Sequence, residues 1–249
     1  MTLAAARTAA LVGWLLLCVP PHVLAILLTR RSRWPRRFLA GVARIAGVRL
    51  TVVGRPADAG TLLVSNHRSW LDIPVLAAAA GAAFVAKVEL EGHWLLRWLC
   101  EQNGTVFIDR RARRSVGAQA SAVEQALRRE RPLVLFAEGT VAPDAPLLPF
   151  RSPLLAAAVS APDDIVVRPI AIDYGPARAD LAWRDGESGI ANFRKVMGRP
   201  GRLPARVQLL PALPPTSDRK ALARAAQIAI EHALALSEPD ALPYSGGES

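Results

Sequence analysis

The segment Leu62-Leu63-Val64-Ser65-Asn66-His67-Arg68-Ser69-Trp70-Leu71-Asp72 constrains the fold more than any other part of this chain. An apolar run is followed at once by one His and one Asp five positions apart. In a helix, five residues turn by about 500°, which leaves the two side chains roughly 140° apart. In a strand they point to opposite faces. They meet only where a strand ends and the chain bends into the next helix. A His that meets a carboxylate there has a fixed tautomer and a stabilised imidazolium, which makes it a usable general base.

The rest of the sequence alternates in the same sense after residue 50. Apolar runs at 61–64, 83–86, 105–108, 133–136, 166–172 and 207–210 predict strands. Helical spacing predicts helices over 73–80, about 115–129, and 218–236, where Leu222, Ala226, Ala229, Ala233 and Leu236 share a face. Pro74 sits in a first turn, where proline is tolerated, and Asp218 is a plausible N-cap. Strand–helix alternation predicts an α/β fold, with a mixed, largely parallel sheet flanked by helices. The 249 residues suffice for one such domain and an appendage.

Residues 9–28 read AALVGWLLLCVPPHVLAILL, about the length needed to cross a bilayer. Pro20, Pro21 and His22 near the middle argue against a straight span and leave a kinked span or a short helical hairpin dipping into one leaflet. Arg30, Arg31, Arg33, Arg36 and Arg37 follow, so this end is expected on the cytoplasmic side of a cell inner membrane. Trp14 and Trp34 are placed near the interface. A cleaved signal peptide fits less well, because the longest basic block lies after the apolar run. The expected organisation is a membrane anchor with basic flank over 1–40, a catalytic domain over 41–237, and a flexible tail over 238–249. The net charge of +10 points to an anionic partner. Nucleic acid is set aside, because the Arg blocks lack interleaved aromatics and no helix-turn-helix or RNP pattern is present. Two cysteines, Cys18 and Cys100, supply neither a disulfide framework nor a zinc pattern.

Four further strings follow the first in order: Gly104-Thr105-Val106-Phe107-Ile108-Asp109-Arg110, Phe136-Ala137-Glu138-Gly139-Thr140, Leu148-Pro149-Phe150-Arg151-Ser152 and Val167-Arg168-Pro169-Ile170. With the Asn-His-x4-Asp block, the set resembles the glycerolipid acyltransferase family, typified by 1-acylglycerol-3-phosphate acyltransferases. The resemblance covers about residues 62–172. Val141 stands where many members carry an Arg associated with the substrate phosphate, and Ala137 replaces a Pro. In this the chain also looks like a bacterial branch that includes lyso-ornithine lipid acyltransferases.

The resemblance implies an O-acyltransferase acting on a lysolipid, with acyl-CoA or acyl carrier protein as donor and no cofactor or metal. The acceptor it implies first is 1-acyl-sn-glycerol-3-phosphate, with lyso-ornithine lipid as the alternative. His67 would be the general base and Asp72 its orienting carboxylate. Arg110 would bind an anionic headgroup, Glu138, Gly139 and Thr140 would shape the acceptor site, and Arg151 would add a phosphate or carboxylate contact. Blander roles compete for each. Asp72 could be a helix N-cap, Asn66 ordinary turn chemistry, Glu138 a partner that holds Arg110, Arg110 part of an exposed basic run, and Arg151 a surface ion pair. Lys87, at a strand end, is a further binding candidate. Ser65 and Ser69 suggest a Ser-His-Asp nucleophile, but neither lies in a Gly-x-Ser-x-Gly elbow. A non-catalytic lipid-binding protein and a lipid hydrolase are the competing functions.

Overall fold

A computed structural model describes residues 2–87, 94–108, 116–128, 131–140, 147–160, 165–183 and 186–236. The apolar N-terminal run forms α1 (Leu3–Thr29), one continuous helix that passes through Pro20 and Pro21. Of the two alternatives left open, a kinked span or a hairpin within the run, the run itself shows no hairpin; the chain turns only after it, into α2 (Trp34–Ile45). Trp14 packs where Gly41 of α2 leaves room, and its indole N–H donates to the Phe38 carbonyl at 3.1 Å.

Seven strands follow: β1 (Val48–Val53), β2 (Thr61–Ser65), β3 (Ala83–Lys87), β4 (Val106–Ile108), β5 (Leu133–Phe136), β6 (Val166–Asp173) and β7 (Leu203–Leu209). They form one sheet in the order β1-β7-β6-β2-β5-β3-β4. Strands β6, β2, β5, β3 and β4 run parallel; β7 is antiparallel to β6, and β1 is parallel to β7. The helices between them are α3 (Asp72–Ala80), α4 (Trp94–Gln102), α5 (Val116–Leu127), α6 (Ala156–Ser160), α7 (Arg178–Leu181), α8 (Gly189–Gly198) and α9 (Arg219–Ala235).

All five residues of β2 are buried, as expected of a central strand covered on both faces. Its alternate side chains enter two separate cores. Leu62 and Val64 pack with Val123, Leu127, Ala226 and Ile230 of α5 and α9. Leu63 packs with Ala43, Val75, Leu76 and Met197 of α2, α3 and α8. The mixed, largely parallel α/β sheet expected from the alternation is therefore the observed architecture.

Strand β1 and helices α2, α4 and α8 are not among the expected elements. β1 is an edge strand and its residues are half-buried or exposed, so its apolar alternation is weak. Its end is set by backbone conformation. Gly54 has φ +96°, and a Cβ there would lie 2.2 Å from the Leu209 carbonyl oxygen, so only glycine closes this corner.

Candidate active site

Because the five neighbouring strands from β6 to β4 are parallel, their C-terminal ends lie along one edge of the sheet, where open α/β sheets place their ligand sites. β2 ends at Ser65 between β5, which ends at Phe136, and β6, which ends at Asp173. The loop after β2 therefore emerges between the ends of its two neighbours. Asn66 fixes it to β6 with two hydrogen bonds. Its side-chain amide donates to the Ile172 carbonyl at 2.9 Å, and its Oδ1 accepts from the Ile172 N–H at 2.9 Å. This exceeds the ordinary turn role considered for Asn66, because the bonds continue the β2–β6 pairing past the strand end.

His67 and Asp72 meet in the bend, as their spacing requires. The His67 Nδ1 to Asp72 Oδ2 distance is 2.7 Å. A carboxylate oxygen only accepts, so Nδ1 carries the proton and Nε2 is left with a free lone pair. Asp72 is wholly buried. Its Oδ2 also accepts from the backbone N–H groups of Arg68 at 2.6 Å and Ser69 at 2.9 Å. Its Oδ1 accepts from the Tyr174 hydroxyl at 2.7 Å. Asp72 is the first residue of α3 rather than its N-cap, which is Leu71. The carboxylate thus gathers backbone donors of the preceding bend instead of capping the helix. Phe136 stacks on the imidazole, with ring centroids 4.0 Å apart and planes 18° apart.

Glu138 is also wholly buried. Its Oε1 accepts from the His67 N–H at 2.8 Å and its Oε2 from the Leu148 N–H at 3.0 Å. One carboxylate therefore joins the bend after β2 to the segment before Arg151. Burial pushes its pKa above the ordinary 4.5, against the pull of those two N–H groups and the nearby Arg68. Its oxygens face backbone donors, so Glu138 acts on the site through His67.

Gly139 (φ +76°) makes the turn after β5, and Thr140 beside it is exposed. Arg151 is exposed, and its backbone N–H donates to the Ala137 carbonyl at 2.8 Å. Lys87 is the last residue of β3. Arg110 and Val141 lie outside the described residues. The Ser65 hydroxyl donates to the carbonyl of Asn66, and the Ser69 hydroxyl lies 3.4 Å from the Leu71 N–H. Both are buried, and these contacts engage backbone groups. The sequence singled out neither Tyr174 nor Phe136 for the site. Phe136 was legible as the last residue of a strand in the third string; Tyr174 carried no signal.

Arg168 serves the framework. Its guanidinium donates to the carbonyls of Leu210, Pro56 and Arg55, which tie β6 to the chain on either side. A cavity of about 40 Å³ lies between α1, α2 and α4, lined by Leu15, Cys18, Phe38 and Trp98 among others. Its lining includes none of the residues gathered at the sheet edge. Among the described residues, no group of three or more His, Cys, Asp or Glu could hold a metal ion.

The imidazole–carboxylate pair therefore lies at the C-terminal edge of the parallel strands. A family model described as Acyltransferase matches residues 49–173, from β1 to the last residue of β6. A lyso-ornithine lipid O-acyltransferase of Pseudomonas aeruginosa is 34% identical over 208 residues, covering 82% of this chain and 79% of that protein. A 1-acyl-sn-glycerol-3-phosphate acyltransferase of Neisseria gonorrhoeae is 37% identical over 112 residues, 44% of each chain. The fold matches the crystal structure of a 1-acyl-sn-glycerophosphate (LPA) acyltransferase from Thermotoga maritima. That match has a TM-score of 0.62 and 20% identity, over 94% of this chain and 97% of that one. The chain belongs to the acyltransferase family.

Proposed function

We propose that this protein moves a fatty acyl group from a thioester donor, acyl-CoA or acyl carrier protein, to the hydroxyl of a lysolipid at a membrane surface. The observation that carries the reading is the 2.7 Å contact of His67 Nδ1 with a wholly buried Asp72 carboxylate at the end of β2. His67 Nε2 takes the proton of the acceptor hydroxyl as its oxygen attacks the thioester carbonyl. The C–O bond forms, the C–S bond breaks, and the leaving thiolate takes the proton from the imidazolium. Asp72 stabilises that cation. No enzyme nucleophile is required, because the thioester is already activated. The protein contributes positioning, proton transfer and charge stabilisation.

Arg110 and Arg151 bind the acidic part of the acceptor headgroup, since guanidinium matches phosphate and carboxylate oxygens. Gly139 and Thr140 shape the acceptor side, and Glu138 holds the His67 backbone. Lyso-ornithine lipid is supported as acceptor by the relatives that align along most of the chain and by Val141 in place of the family's Arg. The second reading, 1-acyl-sn-glycerol-3-phosphate, is supported by the Neisseria relative's 37% identity.

Residues 1–40 serve as the anchor and 41–237 as the catalytic domain, on the cytoplasmic face of the inner membrane. α1 is long and apolar enough to cross a bilayer, but its contacts favour lying along one leaflet. Arg7 near its start donates to the carbonyls of Met197 and Arg199 at 3.2 and 2.9 Å. Trp14 bonds to Phe38, and His22 near its end bonds to Ser32 at 2.8 Å and Gln102 at 2.9 Å. A span would tear these bonds. The outer face, with Leu16, Leu17, Leu24, Leu27 and Leu28 exposed, is free to enter the acyl region.

Purified protein given labelled acyl-CoA, or acyl-loaded carrier protein, and both lysolipids side by side tests the reading. Transfer to at least one lysolipid, faster to lyso-ornithine lipid and abolished in H67A, is expected. Transfer surviving at full rate in H67A removes His67 from the mechanism.

A further inference from the structure

Tyr174 is a wholly buried side chain in contact with Asp72 that the mechanism above leaves without a task. It follows the last residue of β6 and reaches across 102 positions of sequence to Asp72. The Asp72 oxygen nearest His67 has three donors: the imidazole and two backbone N–H groups. The other oxygen accepts from Tyr174. The strand end that carries Tyr174 is itself locked to the catalytic bend two residues earlier by the double Asn66–Ile172 bond. Gly175, at φ +55°, turns the chain away directly afterwards. The phenol is therefore held by the sheet rather than by a loop.

We infer that Tyr174 is a positioning residue that sets how strongly the His67–Asp72 pair holds its proton, acting through the far oxygen of the Asp72 carboxylate. The inference rests on His67 being the base. Burial and the Asp72 charge keep the phenol pKa well above the ordinary 10, so the hydroxyl stays a donor. A donor on one carboxylate oxygen withdraws charge from the other, so the imidazolium is held less tightly and returns its proton more readily. Removing the hydroxyl restores that charge. The charged groups close to the pair among the described residues include Glu138, which accepts from the His67 N–H, and the neighbouring Arg68. Neither is altered by a change at Tyr174.

The test is the pH dependence of kcat and kcat/KM for the full chain in lipid vesicles, with palmitoyl-CoA and whichever lysolipid it turns over faster. In Y174F the acid limb moves to higher pH by roughly half a unit or more, and kcat falls by about three-fold or more on that limb while both KM values stay within about two-fold. A second variant covers failure of Y174F to fold. The chain has two tyrosines, so difluorotyrosine incorporated in a Y244F background places the acidified phenol at position 174 alone. The stronger donor moves the acid limb to lower pH, opposite to Y174F. Superimposable profiles, or shifts of both variants in one direction, overturn the inference. If they do so while H67A is inactive, only the role of Tyr174 falls; if H67A is active, the base assignment falls with it.

Discussion

At the scale of single residues, two buried carboxylates share the work at the end of β2 and face different partners. Asp72 holds the imidazole and the backbone of the bend. Glu138 holds the backbone of His67 and of Leu148. In E138Q one of those N–H groups faces an amide donor in place of an acceptor. The expected cost is about 1–3 kcal/mol of stability, read by chemical denaturation, with a lower kcat because His67 is less well held. Unchanged stability would show that the bridge is not needed. The pH dependence of this difference has a definite sign. Burial raises the Glu138 pKa in the folded chain above 4.5, so the folded form binds the proton more tightly than the unfolded form. That contribution is complete below about 4.5 and is lost as pH rises through the higher folded value. The stability margin of the unaltered protein over E138Q should therefore narrow as pH rises across that window. Denaturation curves at a series of pH values measure it, and a widening margin would contradict the assigned shift.

At the scale of elements, α1 and α2 are joined by a close approach that depends on a missing side chain. A Cβ on Gly41 would fall 1.9 Å from Trp14 Nε1. G41A must push the indole out of its seat and break its bond to the Phe38 carbonyl. The expected loss is about 1–3 kcal/mol, measured by thermal unfolding in lipid. In a double-mutant cycle, W14A should recover part of it. Additive costs would mean that the two positions do not share the contact. The helices that were legible from periodicity, α3, α5 and α9, have clear starts or clear apolar faces; Asp218 caps α9 by accepting from the Lys220 and Ala221 N–H groups. Helix α4 was not legible. Its Trp94, Leu95 and Leu96 are exposed, and its contact with α1 includes the polar His22–Gln102 bond, which an apolar pattern does not register.

At the scale of the whole molecule, a basic chain presents an apolar helix face beside exposed Arg30, Arg33, Arg36 and Arg37. Arg37 also lies over the Trp34 ring at 4.8 Å. Such a surface binds anionic bilayers through apolar burial and charge together, with about 1 kcal/mol from each basic residue near the headgroups. Replacing Arg30 and Arg33 by Glu should weaken binding to anionic vesicles by at least about 2 kcal/mol, roughly 30-fold. Binding to neutral vesicles should change little. Sedimentation with the two vesicle types measures both, and equal partitioning of the variant and the unaltered protein would remove charge from the attachment.

The sequence by itself determined the layered α/β class, the meeting of His67 with Asp72, and the apolar reach of the N-terminus. Each of these follows from spacing along a short stretch of chain, where strand, helix and bend geometry leave few options. Only the tertiary structure decided that Glu138 braces a backbone, that Asn66 locks β6 to the bend after β2, that the Tyr174 hydroxyl donates to Asp72, and that α1 is tied along its length to the rest of the fold. Those contacts depend on which parallel strands become neighbours and in what register. A parallel pair is joined by a long crossover rather than a tight turn, so nothing local in the chain records which ends will meet.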